Sequence, residues 1–443
     1  MLTPNTIPDK EPLIRVGIVL PEDKFKSIEL EVPFSPAYRA LSENNSQIIQ
    51  PENICRFSVA GDEIRLNDLN GAKFWRIEPE HPYKMYPKTG IKVNQVVAGR
   101  GFHWEKPIDV YLSGSIEINI HEDHLLLINE LPMEEYLMCV ATSEMGADCP
   151  SPLIESQTIA ARSWMLANIE QKHIQLGMDV CNDDCCQRYQ GSGNLTPQSI
   201  AGAQNTFGQV LIYDDKICDA RYSKSCGGVM ETFNTIWPGA DLDYLKTIVD
   251  APANFTHSVL PLSAEDNVKH WIDEIPETYC SSKTVDESTL YKYLGSVDEE
   301  GRYFRWEFTY SQSELCDLLN NKLNLRADFI LGFNPVSRGG SGRLSKIEIS
   351  YRRKDQKEYT YFVDSEYKIR QSFHKGFLYS SCFYIVQENV VEGIPQNFTL
   401  KGAGWGHGVG YCQIGALGMA LNGYTTEQIV SHYYPGSKLT KIY

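Results

Sequence analysis

Between Lys401 and Ala416 five glycines fall on alternate positions, Gly402 to Gly410, around one indole, Trp405, and one imidazole, His407. Each glycine weakens a strand interior, so this density points to a backbone shaped for close approach by another group. The plain alternative is a Gly-rich turn with a core Trp. His407 suits either contact with a substrate or support of its own loop, and imidazole chemistry fits both. Gln413, just beyond, carries an amide. A second stretch sets the donors Tyr222, Lys224 and Ser225 beside Gly227-Gly228, where backbone can approach a ligand or simply turn. Arg162 lies amid apolar neighbours, where a guanidinium must be paired or bound. It is suited to orient Glu144, to hold a substrate oxygen, or to form a structural ion pair.

Cys181, Cys185 and Cys186 form the one tight group among twelve cysteines, with His173 upstream. Three thiols and an imidazole are a donor set for tetrahedral Cys3His zinc in a structural role. A disulfide from Cys181 to Cys185 or Cys186, or free thiols, also fits the spacing. Scattered cysteines such as Cys55, Cys280 and Cys316 read as small buried hydrophobes.

Several elements must position these groups. Ile14–Leu20, Ile64–Leu69, Phe74–Glu78 and Lys92–Ala98 read as strands. Val110–Asn119 alternates apolar and polar residues, and His121–Asp123 supplies a turn into His124–Ile128, a hairpin pattern. Pro132 opens a helix over Met133–Glu144, with Leu131, Tyr136, Leu137 and Val140 spaced for one helical face. Ser151-Pro152 starts a second helix, with Ser151 as cap, reaching about His173. Gln413–Leu421 is a small-residue helix closed by Gly423, and Thr425 with Gln428 has the spacing of a capping box. Between 250 and 390 polar stretches surround strand-like Arg302–Tyr310, Leu344–Tyr351 and Tyr359–Val363, with Ser311–Lys322 helical.

The expected class is therefore α+β. A mixed core domain over 101–250 and 391–443 is interrupted by a smaller α+β module over 251–390, after a β-rich extension over 1–100. The formal charge of −16 disfavours nucleic acid, whose phosphates want a basic surface. No apolar run approaches a membrane span. Met1–Glu11 is polar and Pro-rich, so no signal peptide is visible.

Four segments read jointly carry a resemblance. They are Glu134-Glu135-Tyr136-Leu137 with Ser143-Glu144-Met145; Gln157 to Ser163; Tyr222 to Gly228; and Gly404 to Gly410 with Gln413 and Gly415-Ala416. Together they resemble the stage II sporulation protein D family, which also includes amidase-modifier (LytB-like) proteins. Tyr111–Ile118, Tyr244-Leu245-Lys246, Arg338 to Arg343 and Ile369-Arg370 support it. The likeness runs from about Val110 to Val249 and again from about Ser337 to the end.

The resemblance implies a lytic transglycosylase that cleaves the MurNAc–GlcNAc β-1,4 bond of peptidoglycan and leaves a 1,6-anhydro end. It places the catalytic acid on Glu144. One carboxyl group suffices for that reaction, acting first as acid and then as base, where hydrolases ordinarily need two. Such a group works best with its pKa lifted by partial burial. Arg162, Tyr222, Lys224, Ser225, His407 and Gln413 become candidate substrate contacts, Gln413 for an N-acetyl group. Some family members bind zinc at a His/Cys set where this chain has Cys181, Cys185 and Cys186. Here Cys185 stands where a His would precede the last Cys, and Cys226 stands where Ser or another small residue is common. No cofactor is implied for catalysis. The implied partners are glycan strands, intact or peptide-stripped, and a cell-wall amidase. The implied location is extracytoplasmic, the periplasm or the cell surface. The second reading is a non-catalytic glycan-binding modifier of an amidase.

Overall fold

The computed structural model describes residues 1–4, 6–69, 71–101, 105–146, 148–257, 259–294 and 302–443. Helices and strands are mixed throughout, an α+β fold. The chain divides into two compact units. The first is Met1–Asp219 with a return at 292–294 and the C-terminal Lys438–Tyr443; the second is Ala220–Tyr291 with 302–437. Among the described residues no helix is long and apolar enough to cross a membrane.

The first unit is built on two large sheets. One runs in the order Val180–Cys181, Leu13–Val19, His124–Pro132, Ser115–His121, Trp75–Pro79, Tyr38–Leu41, Ser46–Ile49. The other runs Glu63–Leu66, Ile54–Ala60, Ser27–Glu31, Ile91–Ala98, Lys106–Leu112. The expected hairpin closes with His121 opposite His124, and Glu122 and Asp123 make the turn at positive φ. The single strand expected over Val110–Asn119 is two strands in different sheets. Gly114 breaks it at φ +74°, backed against the Glu130 carbonyl where a side chain would clash.

The first hundred residues are no separate extension. Leu13–Val19 pairs antiparallel with His124–Pro132, from Leu13 opposite Pro132 to Val19 opposite Leu127. A strand from the N-terminus thus braces the strand that feeds the Met133–Glu144 helix. Trp75, Ile116, Ile118, Leu125, Leu127, Tyr136, Leu137 and Val140 share one buried core. Each such side chain contributes roughly 1.5–3 kcal/mol on burial. Tyr136, Leu137 and Val140 lie on the face expected from their spacing, whereas Leu131, expected with them, belongs to the His124–Pro132 strand and joins the same core from there. The second helix spans Ser151–Ala167 and stops short of His173, because Asn168 takes a left-handed conformation at φ 45°. Its cap position is Pro150, with Ser151 already the first helical residue.

In the second unit, Arg305–Ser311, Asn397–Ala403 and Phe383–Glu388 form one antiparallel sheet, and Phe329–Arg338, Leu344–Arg352 and Glu358–Asp364 another. The Gln312–Leu323 helix packs Leu315 and Leu319 against Ile330, Ile347, Ile349, Phe398 and Leu400. Residues 220–250 and 391–437 belong with this unit, so the expected inserted module does not stand apart from its flanks. The capping box forms as read: Thr425 Oγ1 accepts from Gln428 N–H, and Gln428 Oε1 accepts from Thr425 N–H.

Candidate functional site

Glu144 is the last residue of the Met133–Glu144 helix, and it is buried. Its Oε1 accepts a hydrogen bond from the Arg188 N–H at 3.1 Å. That bond ties the helix end to the loop carrying the cysteine group. The Arg188 side chain in turn pairs with Asp184. Burial pushes the Asp184 carboxyl up to about 6, with Glu144 and Asp183 adding to the rise and Arg188 opposing it. A buried carboxyl group with a defined orientation is suited to proton transfer.

Arg162 is turned to a different use. It is fully buried, and its Nε and Nη2 donate to the two oxygens of Glu134 at 2.9 and 2.5 Å. Nη1 donates to the Gln209 carbonyl at 2.9 Å. Glu134 also accepts from Gly208 N–H and the Tyr443 hydroxyl. The guanidinium thus joins both helices to the Gln209–Tyr213 strand. This geometry corrects the expectation that it orients Glu144 or holds a substrate oxygen.

The remaining candidates lie in the second unit. Tyr222–Ser223 pairs in parallel with Tyr411–Cys412, and Ser225 and Trp405 exchange backbone hydrogen bonds at 2.8 and 2.9 Å. The Tyr222–Gly228 and Gly402–Gly410 stretches are therefore two halves of one structure. Lys224, Ser225 and Gln413 are buried, and Tyr222 is partly exposed. Gly404, Gly406, Gly408 and Gly410 all take positive φ. The group that approaches them is the protein itself. Gly402 lies under the Trp306 ring, and Gly408 faces the buried Arg343 guanidinium with no room for a Cβ. Arg343 donates to the Gly406 and Cys226 carbonyls. Trp405 stacks on Tyr303 at 4.7 Å between ring centres.

His407 Nδ1 accepts from Val409 N–H at 3.0 Å, which leaves the proton on Nε2, and the ring meets Trp237 edge-on at 4.8 Å. Burial, then the charges of Arg221, Arg343 and Arg370, hold its pKa well below the usual histidine value. Of the two roles expected for His407, this arrangement displays loop support.

His173, Cys181, Cys185 and Cys186 come together with their ligand atoms all within 4.8 Å of one another. Cys185 Sγ lies 2.9 Å from Cys181 Sγ, 3.7 Å from His173 Nε2 and 4.0 Å from Cys186 Sγ. The 2.9 Å separation exceeds a disulfide bond of about 2.05 Å. Hydrogen bonds from Cys181 and Cys186, with His173 beside it, push the Cys185 thiol strongly down. Soft thiolates with one imidazole suit zinc. A second group, Cys226, Asp250, Cys280 and Cys412, also gathers within 4.8 Å, wholly buried. Cys280, expected to be a small buried hydrophobe, is one of the four.

Comparisons with known proteins complete the description. The stage II sporulation protein family profile matches residues 121–213, and a domain of unknown function, DUF8618, matches 231–410. An uncharacterized protein of Brachyspira hyodysenteriae is 22% identical over 355 residues, covering 79% of each chain. The amidase enhancer of Bacillus subtilis is 24% identical over 303 residues, 68% of this chain but 40% of that protein. Stage II sporulation protein D of Bacillus subtilis is 21% identical over 350 residues, 76% of this chain and 82% of that protein. The profile match begins ahead of the Met133–Glu144 helix and ends on the strand that receives Arg162, and together with these relatives it supports the SpoIID family for this chain, at low identity.

Proposed function

We propose that this chain is a peptidoglycan lytic transglycosylase with Glu144 as its general acid and base. The family and its relatives support a cell-wall role, and so an extracytoplasmic place of action. The observation that carries the finer reading is the buried Glu144 carboxyl, held by the Arg188 N–H at the end of its helix. The protonated carboxyl gives its proton to the glycosidic oxygen of the leaving N-acetylglucosamine. The C1–O bond breaks as the C6 hydroxyl oxygen of the N-acetylmuramic residue closes on C1. The carboxylate takes the C6 hydroxyl proton and is again an acid. No water enters, so one carboxyl group serves both steps.

His173, Cys181, Cys185 and Cys186 would hold one zinc ion as a structural clamp on the loop after the second helix. When bound, the metal supplies cross-linking, not Lewis acidity at the scissile bond. Elemental analysis with mass mapping of cysteines separates zinc from a Cys181 disulfide.

The test is incubation with intact and peptide-stripped peptidoglycan in oxygen-18 water, with products read by mass spectrometry. Anhydro-muropeptides without label support the proposal; label at the new reducing end means hydrolysis and overturns it. A second reading, a glycan-binding modifier of a cell-wall amidase, rests on the similarity to an amidase enhancer. Equal stimulation of an amidase by wild type and by Glu144→Gln, with no anhydro product from either, would favour it.

A further inference from the structure

Cys226 follows the Tyr222–Ser223 strand, Asp250 and Cys280 come from separate loops, and Cys412 caps the Gln413–Leu421 helix. All four belong to the second unit, and the outermost two are 186 residues apart in sequence. Their relative exposures are 2, 0, 2 and 0%. Three thiols and a carboxyl group converge in the buried interior, with His432 Nε2 3.5 Å from Asp250 Oδ1, and burying so many polar groups together is costly unless they share a ligand.

The spacing identifies what fits. Cys226 Sγ lies 3.6 Å from Cys280 Sγ and 3.4 Å from Asp250 Oδ2. Tetrahedral zinc, with Zn–S of about 2.3 Å and Zn–O of about 2.0 Å, sets ligand atoms roughly 3.5–3.8 Å apart. A disulfide would need sulfurs at about 2.05 Å and would leave a third thiol over. Iron–sulfur clusters place their ligands around a core of several atoms, wider than a set gathered within 4.8 Å.

The surroundings suit a metal-bound set. Cys412 Sγ accepts N–H bonds from Cys226 at 3.1 Å and Gly415 at 3.3 Å, the kind of donors that steady a thiolate. Asp250 is aimed by the Tyr433 hydroxyl on Oδ1 at 2.8 Å and by the Cys280 N–H on Oδ2 at 3.2 Å. Gly415 admits that carboxylate, because a Cβ there would strike both Asp250 and Tyr433. We propose that Cys226, Asp250, Cys280 and Cys412 bind one zinc ion as a structural site of the second unit. The site is separate from the His173 set and independent of the proposed glycan chemistry.

The experiment uses the full chain, purified reduced and without added metal, with Cys181, Cys185 and Cys186 all changed to Ser. Expected is about one zinc per chain. After stripping and reloading with cobalt(II), thiolate-to-cobalt charge-transfer absorption and strong tetrahedral visible bands should appear. Adding Cys412→Ser or Asp250→Asn should remove or shift those bands. A folded triple variant with less than a tenth of an equivalent of zinc and no cobalt bands overturns the proposal. So does a disulfide mapped among Cys226, Cys280 and Cys412. Anomalous scattering at the zinc edge from wild-type crystals asks the same question without any variant. A peak amid the four residues supports the site, and its absence sinks it.

Discussion

Glu144, in its proposed role, and His407 call for different tests. Glu144→Gln preserves shape and the Arg188 N–H contact while removing the transferable proton. Acid–base groups typically contribute about 10²–10⁴-fold, and one group serving two steps belongs near the upper end. Turnover to anhydro-muropeptides should fall by that amount with an unchanged thermal midpoint. More than about a tenth of wild-type activity would remove Glu144 from the acid role. Desolvation of the part-buried His407 ring, and then the charges of three arginines, push its pKa well below the usual histidine value. The unfolded chain takes up a proton near pH 6.5, and the folded one resists it. The neutral ring's contribution to stability is thus complete above about pH 6.5 and is lost as pH falls below it, by at most about 1.4 kcal/mol per unit. Urea midpoints for wild type should drop between pH 7.5 and 5 more steeply than for His407→Gln. Parallel profiles would show that the histidine titrates freely.

At the scale of elements, the Arg162–Glu134 pair joins two helices and a strand, so its removal should be felt as instability. Arg162→Ala leaves a buried carboxylate without its cation, a loss of about 3–5 kcal/mol. Lysine should not rescue, because one ammonium cannot reach both Glu134 oxygens and the Gln209 carbonyl. A variant with a normal melting profile but a raised KM would return Arg162 to the substrate. The same pair marks where the sequence stops being legible. Periodicity exposed the Met133–Glu144 helix and the face it buries, because Tyr136, Leu137 and Val140 repeat at helical spacing. The hairpin at His121–Asp123 and the Thr425 capping box are local chemistry, and they too could be read directly. The partner of Arg162 lay 28 residues upstream, set by tertiary packing alone. The break at Gly114 was hidden because apolar alternation continues on both sides of it. For the Gly402–Gly410 run, sequence showed that something must come close, but not that Trp306 and Arg343 are what come. The Cys226, Asp250, Cys280 and Cys412 set was invisible for the same reason, since no spacing rule spans such separations.

At the scale of the chain, sequence order and structural membership part company. Leu13–Val19 belongs to the sheet whose His124–Pro132 strand leads into the Met133–Glu144 helix, although no motif marks it. Lys438–Lys441 follows the whole second unit in sequence, yet it pairs antiparallel with Gln209–Tyr213 in the first, Leu439 opposite Leu211. Tyr443 ends the chain with its hydroxyl on Glu134 at 2.9 Å and its ring edge-on to Phe207 at 5.4 Å. Deleting Lys438–Tyr443 therefore exposes an edge of the Gln209–Tyr213 strand and takes one donor from the buried Glu134. The loss belongs to the first unit, far away in sequence. Hydrogen exchange should show faster amides in Gln209–Tyr213 and at the Arg162 end of the second helix. Amides of the Leu344–Arg352 strand, paired on both sides within the second unit, should keep their protection. Exchange that rises only near the new terminus, with Gln209–Tyr213 unchanged, would mean that the last strand adds nothing to the unit that holds Glu144.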